Sequence, residues 1–138
     1  MNKDDLIRYW LESSDRDFLT MMHLFEKEDY HWALFIGHLL IEKLLKAYYV
    51  KNAGDQPPFT HNLLLLAEKS KLELNEQQKD SLVTITAFNI RARYDDYKMA
   101  FYKTCTREYT TIWLNEITGF REWIKKPLLK SSEDTSPT

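Results

Sequence analysis

The chain is poor in the residues that break helices: its 138 positions contain three glycines and four prolines, two of them adjacent at Pro57-Pro58. With so few breakers, long helices meet little opposition, and an all-α fold is favoured before any pattern is read. There is one cysteine, Cys105, so no intramolecular disulfide can form and the core has to be apolar. The opening MNKDDLIRYW lacks the apolar run of a signal peptide or membrane anchor, which leads to the expectation of a soluble, cytoplasmic protein with no membrane partner. Nor is there an excess of one charge. The formal net charge is −2 with 29% charged residues, so any contact with nucleic acid must come from a local patch.

What the chain does have is apolar residues at helical spacing. From Asp4 to about Lys27, Ile7, Trp10, Leu11, Phe18, Met21, Met22 and Phe25 recur at three- and four-residue steps, with small Ser14 on the same face. The segment Tyr30 to Asn52 is apolar almost all round, as suits a helix in the middle of a bundle. Gly54 can cap it, and Pro57-Pro58 marks a loop. Thr60 or His61 is the expected cap of a short helix through HNLLLLAEKSK, and Asn75 opens another through EQQKDSLVTITAFNI. Thr104 or Thr106 is placed to cap a last helix that Pro127 stops near Lys126. The fold expected is an up-and-down four-helix bundle with one additional short helix, in one domain over 1–127, followed by a polar tail over 128–138.

Most chemical constellations are missing. His31 and His38 stand about 10 Å apart along a helix axis at about 1.5 Å per residue, too far to share one ion easily. No HExxH or Cys-His cluster is present, so neither metal nor other cofactor is expected. Cys105 reads as half-buried structure and His61 as a helix-start residue. A polar seam is more informative. His38, Glu42 and Lys46 fall at i, i+4 and i+8 on the most apolar helix, where partly buried charges need partners. Asp17 on the first helix is a further candidate member, with Arg93 supplying the cation.

The segment FNIRARYDDYK ends the fourth helical pattern. Arg91, Arg93, Lys98, Lys103 and Arg107 face only Asp95 and Asp96 along 91–107, a local excess of three positive charges. Interleaved Tyr94, Tyr97, Phe101 and Tyr102 offer faces that could stack on bases or cover a second chain. Arg93, Arg91, Tyr94, Asp96 and Lys98 are the ligand-binding candidates.

These stretches, HWALFIGHLLIEKLLKAYYV, PPFTHNLLLLAEKS and IRARYDDYK in that order, resemble the HEPN domain of bacteria and archaea. Ala33, Glu42, Lys43, Lys46 and Ala47 match its A-x(8)-E-K-x-x-K-A helix. Pro58, Thr60, His61 and Leu63 match its loop with Pro and T-H-x-L; Ala92, Arg93 and Tyr94 match its A-R-Y tripeptide. Trp10, Leu11 and Asp17 suit its first helix, and the likeness spans about residues 5–125. The resemblance implies a fold similar to the helical domain of kanamycin-type nucleotidyltransferases, a homodimer, and in many cases a minimal nucleotidyltransferase partner. It also raises the metal-independent ribonuclease branch, often toxins, whose motif is an arginine followed by a histidine after four to six residues. Here those positions after Arg93 hold Lys98, Met99 and Ala100; after Arg91 they hold Asp96, Tyr97 and Lys98. No histidine follows His61. The proton carrier of that chemistry is missing from its place, and lysine substitutes poorly near neutral pH. The expectation is a non-catalytic HEPN-like protein that binds a nucleotide, RNA or a nucleotidyltransferase partner, the alternatives being a ribonuclease with a degenerate motif or a pure scaffold.

Overall fold

The computed structural model describes residues 2–129, and they form six helices with no strand among them. α1 (Lys3–Glu26) begins at Asn2, whose side chain accepts from the Asp5 N–H, with Asp4 and Asp5 favourably placed at the positive end of the helix dipole. It ends in a tight reversal in which Glu28 takes a positive φ of 65°. α2 (Tyr30–Asn52) returns antiparallel, and small Ser14, fully buried, donates its hydroxyl to the Leu40 carbonyl at 3.2 Å. α2 packs against every other helix and supplies much of the core, from Ala33 and Leu34 to Val50. Gly37 allows the closest approach. A Cβ built there would stand 2.6 Å from Ile117 Cδ1 and 3.2 Å from Met21 Sδ, so α1, α2 and α6 converge at this point.

The bundle expected from the sequence is present, with differences in its ends. α2 closes at Ala53; Gly54 contributes its N–H to the Tyr49 carbonyl, without a positive φ. α3 (Leu63–Lys69) is capped by Asn62, not by Thr60 or His61. Thr60 instead accepts from the Asn62 N–H at 3.1 Å and shapes the approach to the cap. α4 (Glu76–Arg91) starts at Asn75 in a full capping box with Gln78.

α5 (Asp95–Thr104) is a second short helix where the sequence showed only a polar segment. Its first turn carries Asp95 and Asp96, which suit a helix N-terminus, and its anchor is Phe101. Phe101 is fully buried, with its ring 5.5 Å from that of Phe88, so it is unavailable to a ligand or second chain. α6 (Arg107–Leu128) starts at Thr106, as expected, but runs through Pro127. Pro127 forfeits its bond to the Trp123 carbonyl and crowds that carbonyl, but its own carbonyl accepts from the Lys51 ammonium and buried Leu128 holds the end down. The helix therefore extends into the stretch read as tail; residues 130–138 of that stretch lie outside the described residues.

Candidate functional site

The polar seam of α2 is organised around Glu42, a carboxylate only 5% exposed. Lys46 donates to Oε2 at 3.2 Å from the next turn of the same helix. His61 donates through Nδ1 to Oε1 at 2.7 Å from the loop before α3. His38, one turn back and fully buried, donates its Nε2–H to the backbone carbonyl of His61 at 3.0 Å. That bond fixes the His38 tautomer and leaves Nδ1 without a partner. His61 is thus held twice, by ring and by backbone, and the loop over 53–62 is pinned to α2 at one residue. Lys46 also lies 5.0 Å from the centre of the Trp10 ring, which joins α1 to the group.

Burial pushes the His38 pKa below its ordinary 6.5; the His61 carbonyl and Glu42 oppose the shift, while the charges of His61 and Arg93 add to it. His31 is lowered as well, by burial first and then by Lys98, with Asp29 opposing. The unfolded chain therefore binds protons at these rings that the folded chain refuses. Stability contributed here is complete well above pH 6.5 and is lost as pH falls through that value. Each ring adds a slope of at most about 1.4 kcal/mol per pH unit. Thermal melts between about pH 8 and pH 5 should show the decline, and His38→Gln should reduce it to the share of His31; an unchanged slope would mean that the fold admits the proton at His38 without penalty.

Asp17, Glu42, Lys46 and Arg93 do not form the single network expected of them. Asp17 pairs with Lys43 at 2.6 Å, the neighbour of Glu42 in sequence but a step of about 100° around the helix. Arg93 donates through Nε to the Asn89 carbonyl at 3.0 Å, one turn back along α4. Lys46, His61 and Lys43 already supply partners to both carboxylates. Arg93 remains close enough to His38 for its charge to act there, but none of the ion pairs among the described residues includes it.

Around Arg93 the short turn between α4 and α5 presents an aromatic and cationic face. The guanidinium carbon lies 5.4 Å from the Phe35 ring centre and 5.6 Å from that of Tyr94, which is 55% exposed. Lys98 lies 5.2 Å from the Trp32 ring, and Trp32 meets Phe35 edge-on at 5.8 Å. Asp96 is exposed on the first turn of α5. Arg91 turns the other way: its guanidinium covers Phe101 at 4.6 Å and faces the Tyr109 phenol, whose pKa burial raises against the pull of that charge. Of the candidates in RARYDDYK, the structure thus brings Arg93, Tyr94 and Lys98 to one face with Phe35 and Trp32 and sends Arg91 into packing. Cys105 is buried more fully than expected, and desolvation pushes its thiol up to about 12, so it offers no thiolate near neutral pH.

A helical bundle whose central helix carries a Glu-Lys seam, tied to a Thr-His loop and bordered by an Ala-Arg-Tyr turn, defines the class. Residues 7–127 match the family model described as HEPN domain. The chain belongs to the HEPN domain family. No curated protein and no solved structure gives a significant match to it. Among the described residues, no helix is long and apolar enough to cross a membrane.

Proposed function

We propose that this is a non-catalytic HEPN protein that binds a phosphate-bearing ligand, a nucleotide or RNA, or a nucleotidyltransferase partner, on the surface around Arg93. One observation carries the reading. Arg93 is exposed and aimed by its own Nε hydrogen bond, with two aromatic faces beside it and no carboxylate pairing with its terminal nitrogens among the described residues. A planar guanidinium in that state is suited to phosphate oxygens, and the exposed Tyr94 ring beside it is suited to a base. The local positive charge supplies attraction that the acidic whole does not.

A second reading, a ribonuclease with a degenerate motif, draws on a different observation. The His61 ring is 59% exposed and its Nδ1 is tied to buried Glu42, an arrangement that leaves Nε2 able to take or give a proton. The two readings separate in one experiment. Binding of a short single-stranded RNA should weaken with salt and fall about tenfold or more in Arg93→Ala, with no turnover when metal is chelated. Robust turnover lost in both Arg93→Ala and His61→Ala would replace the binding reading with the catalytic one. Absence of binding and turnover together would leave a scaffold.

Self-association belongs to the same proposal. Tyr94 and Tyr97 are 55% and 53% exposed beside the site, and a two-fold contact through them would bring two Arg93 side chains toward one cleft. Light scattering should report about twice the 16.6 kDa of the chain, and Tyr97→Glu should shift it toward monomer. A monomer at high micromolar concentration rejects the dimer.

A further inference from the structure

Beside the Arg93 face, α5 and the start of α2 border a shallow, open cleft of about 320 Å³ lined by His31, Asp95, Lys98, Met99 and Tyr102. The four α5 residues fall at i, i+3, i+4 and i+7, one continuous face of the helix. That face is not spent on the core. Met99 is 65% exposed and Tyr102 61% exposed, whereas His31 across from them is only 9% exposed. The His31 ring meets Tyr102 edge-on at 5.4 Å and lies 5.0 Å from Trp32. Neither of its nitrogens bonds to a protein group among the described residues, and neither is among their buried unpartnered polar atoms, so the nearly buried ring meets solvent through the cleft. Burial first and then the Lys98 charge disfavour the protonated ring, against Asp29, and a neutral imidazole there offers one donor and one acceptor to whatever occupies the cleft.

The geometry points to a nucleobase subsite in this cleft, selective for guanine, with Asp95 reading the base edge and Tyr102 and Met99 holding its face. The occupant follows from the lining. A thioether and a phenol ring favour a flat aromatic body. An ionised carboxylate only accepts hydrogen bonds, and guanine alone among the common bases presents two adjacent N–H donors, N1 and N2, on its Watson-Crick edge. Adenine and cytosine set a ring-nitrogen lone pair beside their amino group, which an aspartate oxygen repels. Lys98 and the His31 donor can serve the O6 and N7 acceptors of guanine on its other side. The cleft adjoins the Arg93 face along one aromatic wall, since Lys98 covers Trp32, Trp32 packs on Phe35, and Arg93 covers Phe35. A guanine nucleotide or a guanine-bearing RNA engaging both rests on the phosphate reading of Arg93; the base subsite alone does not.

Calorimetric titration of the full chain with guanosine, guanosine monophosphate, adenosine monophosphate and pyrophosphate separates the two. Guanosine monophosphate should bind about tenfold or more tightly than adenosine monophosphate. Asp95→Asn should erase that preference, and Tyr102→Ala should weaken both nucleotides while leaving pyrophosphate unchanged. Both side chains are exposed, and a thermal melt of each variant verifies the fold. Guanosine, which has no phosphate, should bind equally well to wild type and Arg93→Ala. Equal affinity for all three phosphate compounds, lost in Arg93→Ala and untouched by Tyr102→Ala, overturns the base subsite and leaves the phosphate reading standing. Guanine preference that depends on Asp95 but not on Arg93 keeps the subsite and overturns the phosphate reading. No binding of any compound overturns both.

Discussion

Replacing Phe101 by alanine is expected to lower stability by about 3–5 kcal/mol, the range for emptying a buried aromatic site. Phe101 is fully buried, lies obliquely against Phe88 at 5.5 Å and carries the Arg91 guanidinium 4.6 Å from its ring centre. It is also the one buried residue of α5, so its loss loosens the whole helix from the bundle. The functional effect should therefore exceed a general loss of stability. Lys98 and Tyr102 ride on α5, and the turn that aims Arg93 is held at one end by it. Denaturant titration reads the stability. Hydrogen exchange should show amides 95–104 exchanging at a far lower protection than α2. A cost under about 1 kcal/mol would mean that α5 is anchored by something other than this ring.

Glu42→Ala is expected to cost about 3 kcal/mol, near the lower end of what breaking a buried ion pair costs, since Lys46 can swing toward water. The carboxylate accepts from Lys46 and His61 together, and His61 in turn receives the His38 hydrogen bond through its carbonyl. Removal therefore strands two cationic or imidazole groups and releases the loop over 53–62. Limited proteolysis should cut that loop in the variant at protease levels that leave the wild type intact. Glu42→Leu combined with Lys46→Met removes both charges and should recover much of the lost stability, because an apolar pair needs no partner. If the double replacement were as unstable as Glu42→Ala, the cause would lie in the His61 contact alone.

The helices were readable because apolar residues at three- and four-residue steps leave few other choices, and because Asn75 and Thr106 are good caps standing directly before such runs. Asn62 was hidden by two competent neighbours: Thr60, His61 and Asn62 can all start a helix, and only the geometry of the α3 approach selects among them. α5 escaped because its start has no capping side chain at Tyr94 and its core contact is a single phenylalanine, too little periodicity to register in ten residues. The seam shows the same division. Spacing alone put His38, Glu42 and Lys46 on one line of α2, a property of the helix. The partners of that line come from elsewhere, His61 from a loop 19 residues away and Asp17 across the α1–α2 contact to Lys43. Nothing in local spacing distinguishes Lys43 from Lys46 as the mate of Asp17, since both are cations on exposed or half-exposed turns until the two helices are packed. The cleft at His31 was invisible for a like reason, because it exists only once α5 is a helix.

On the proposed function, ligand phosphate meets the chain at the turn between α4 and α5. Backbone amide NMR of labelled protein, titrated with a short single-stranded RNA at low and physiological salt, tests this position by position. Shifts are expected to concentrate at Asn89, Arg93, Tyr94 and Lys98, with Phe35 and Trp32 on the facing stretch of α2, and to disappear in Arg93→Ala. Shifts confined instead to the opposite end of the bundle, around Lys71 and Lys126, or an unchanged pattern in Arg93→Ala, would contradict it.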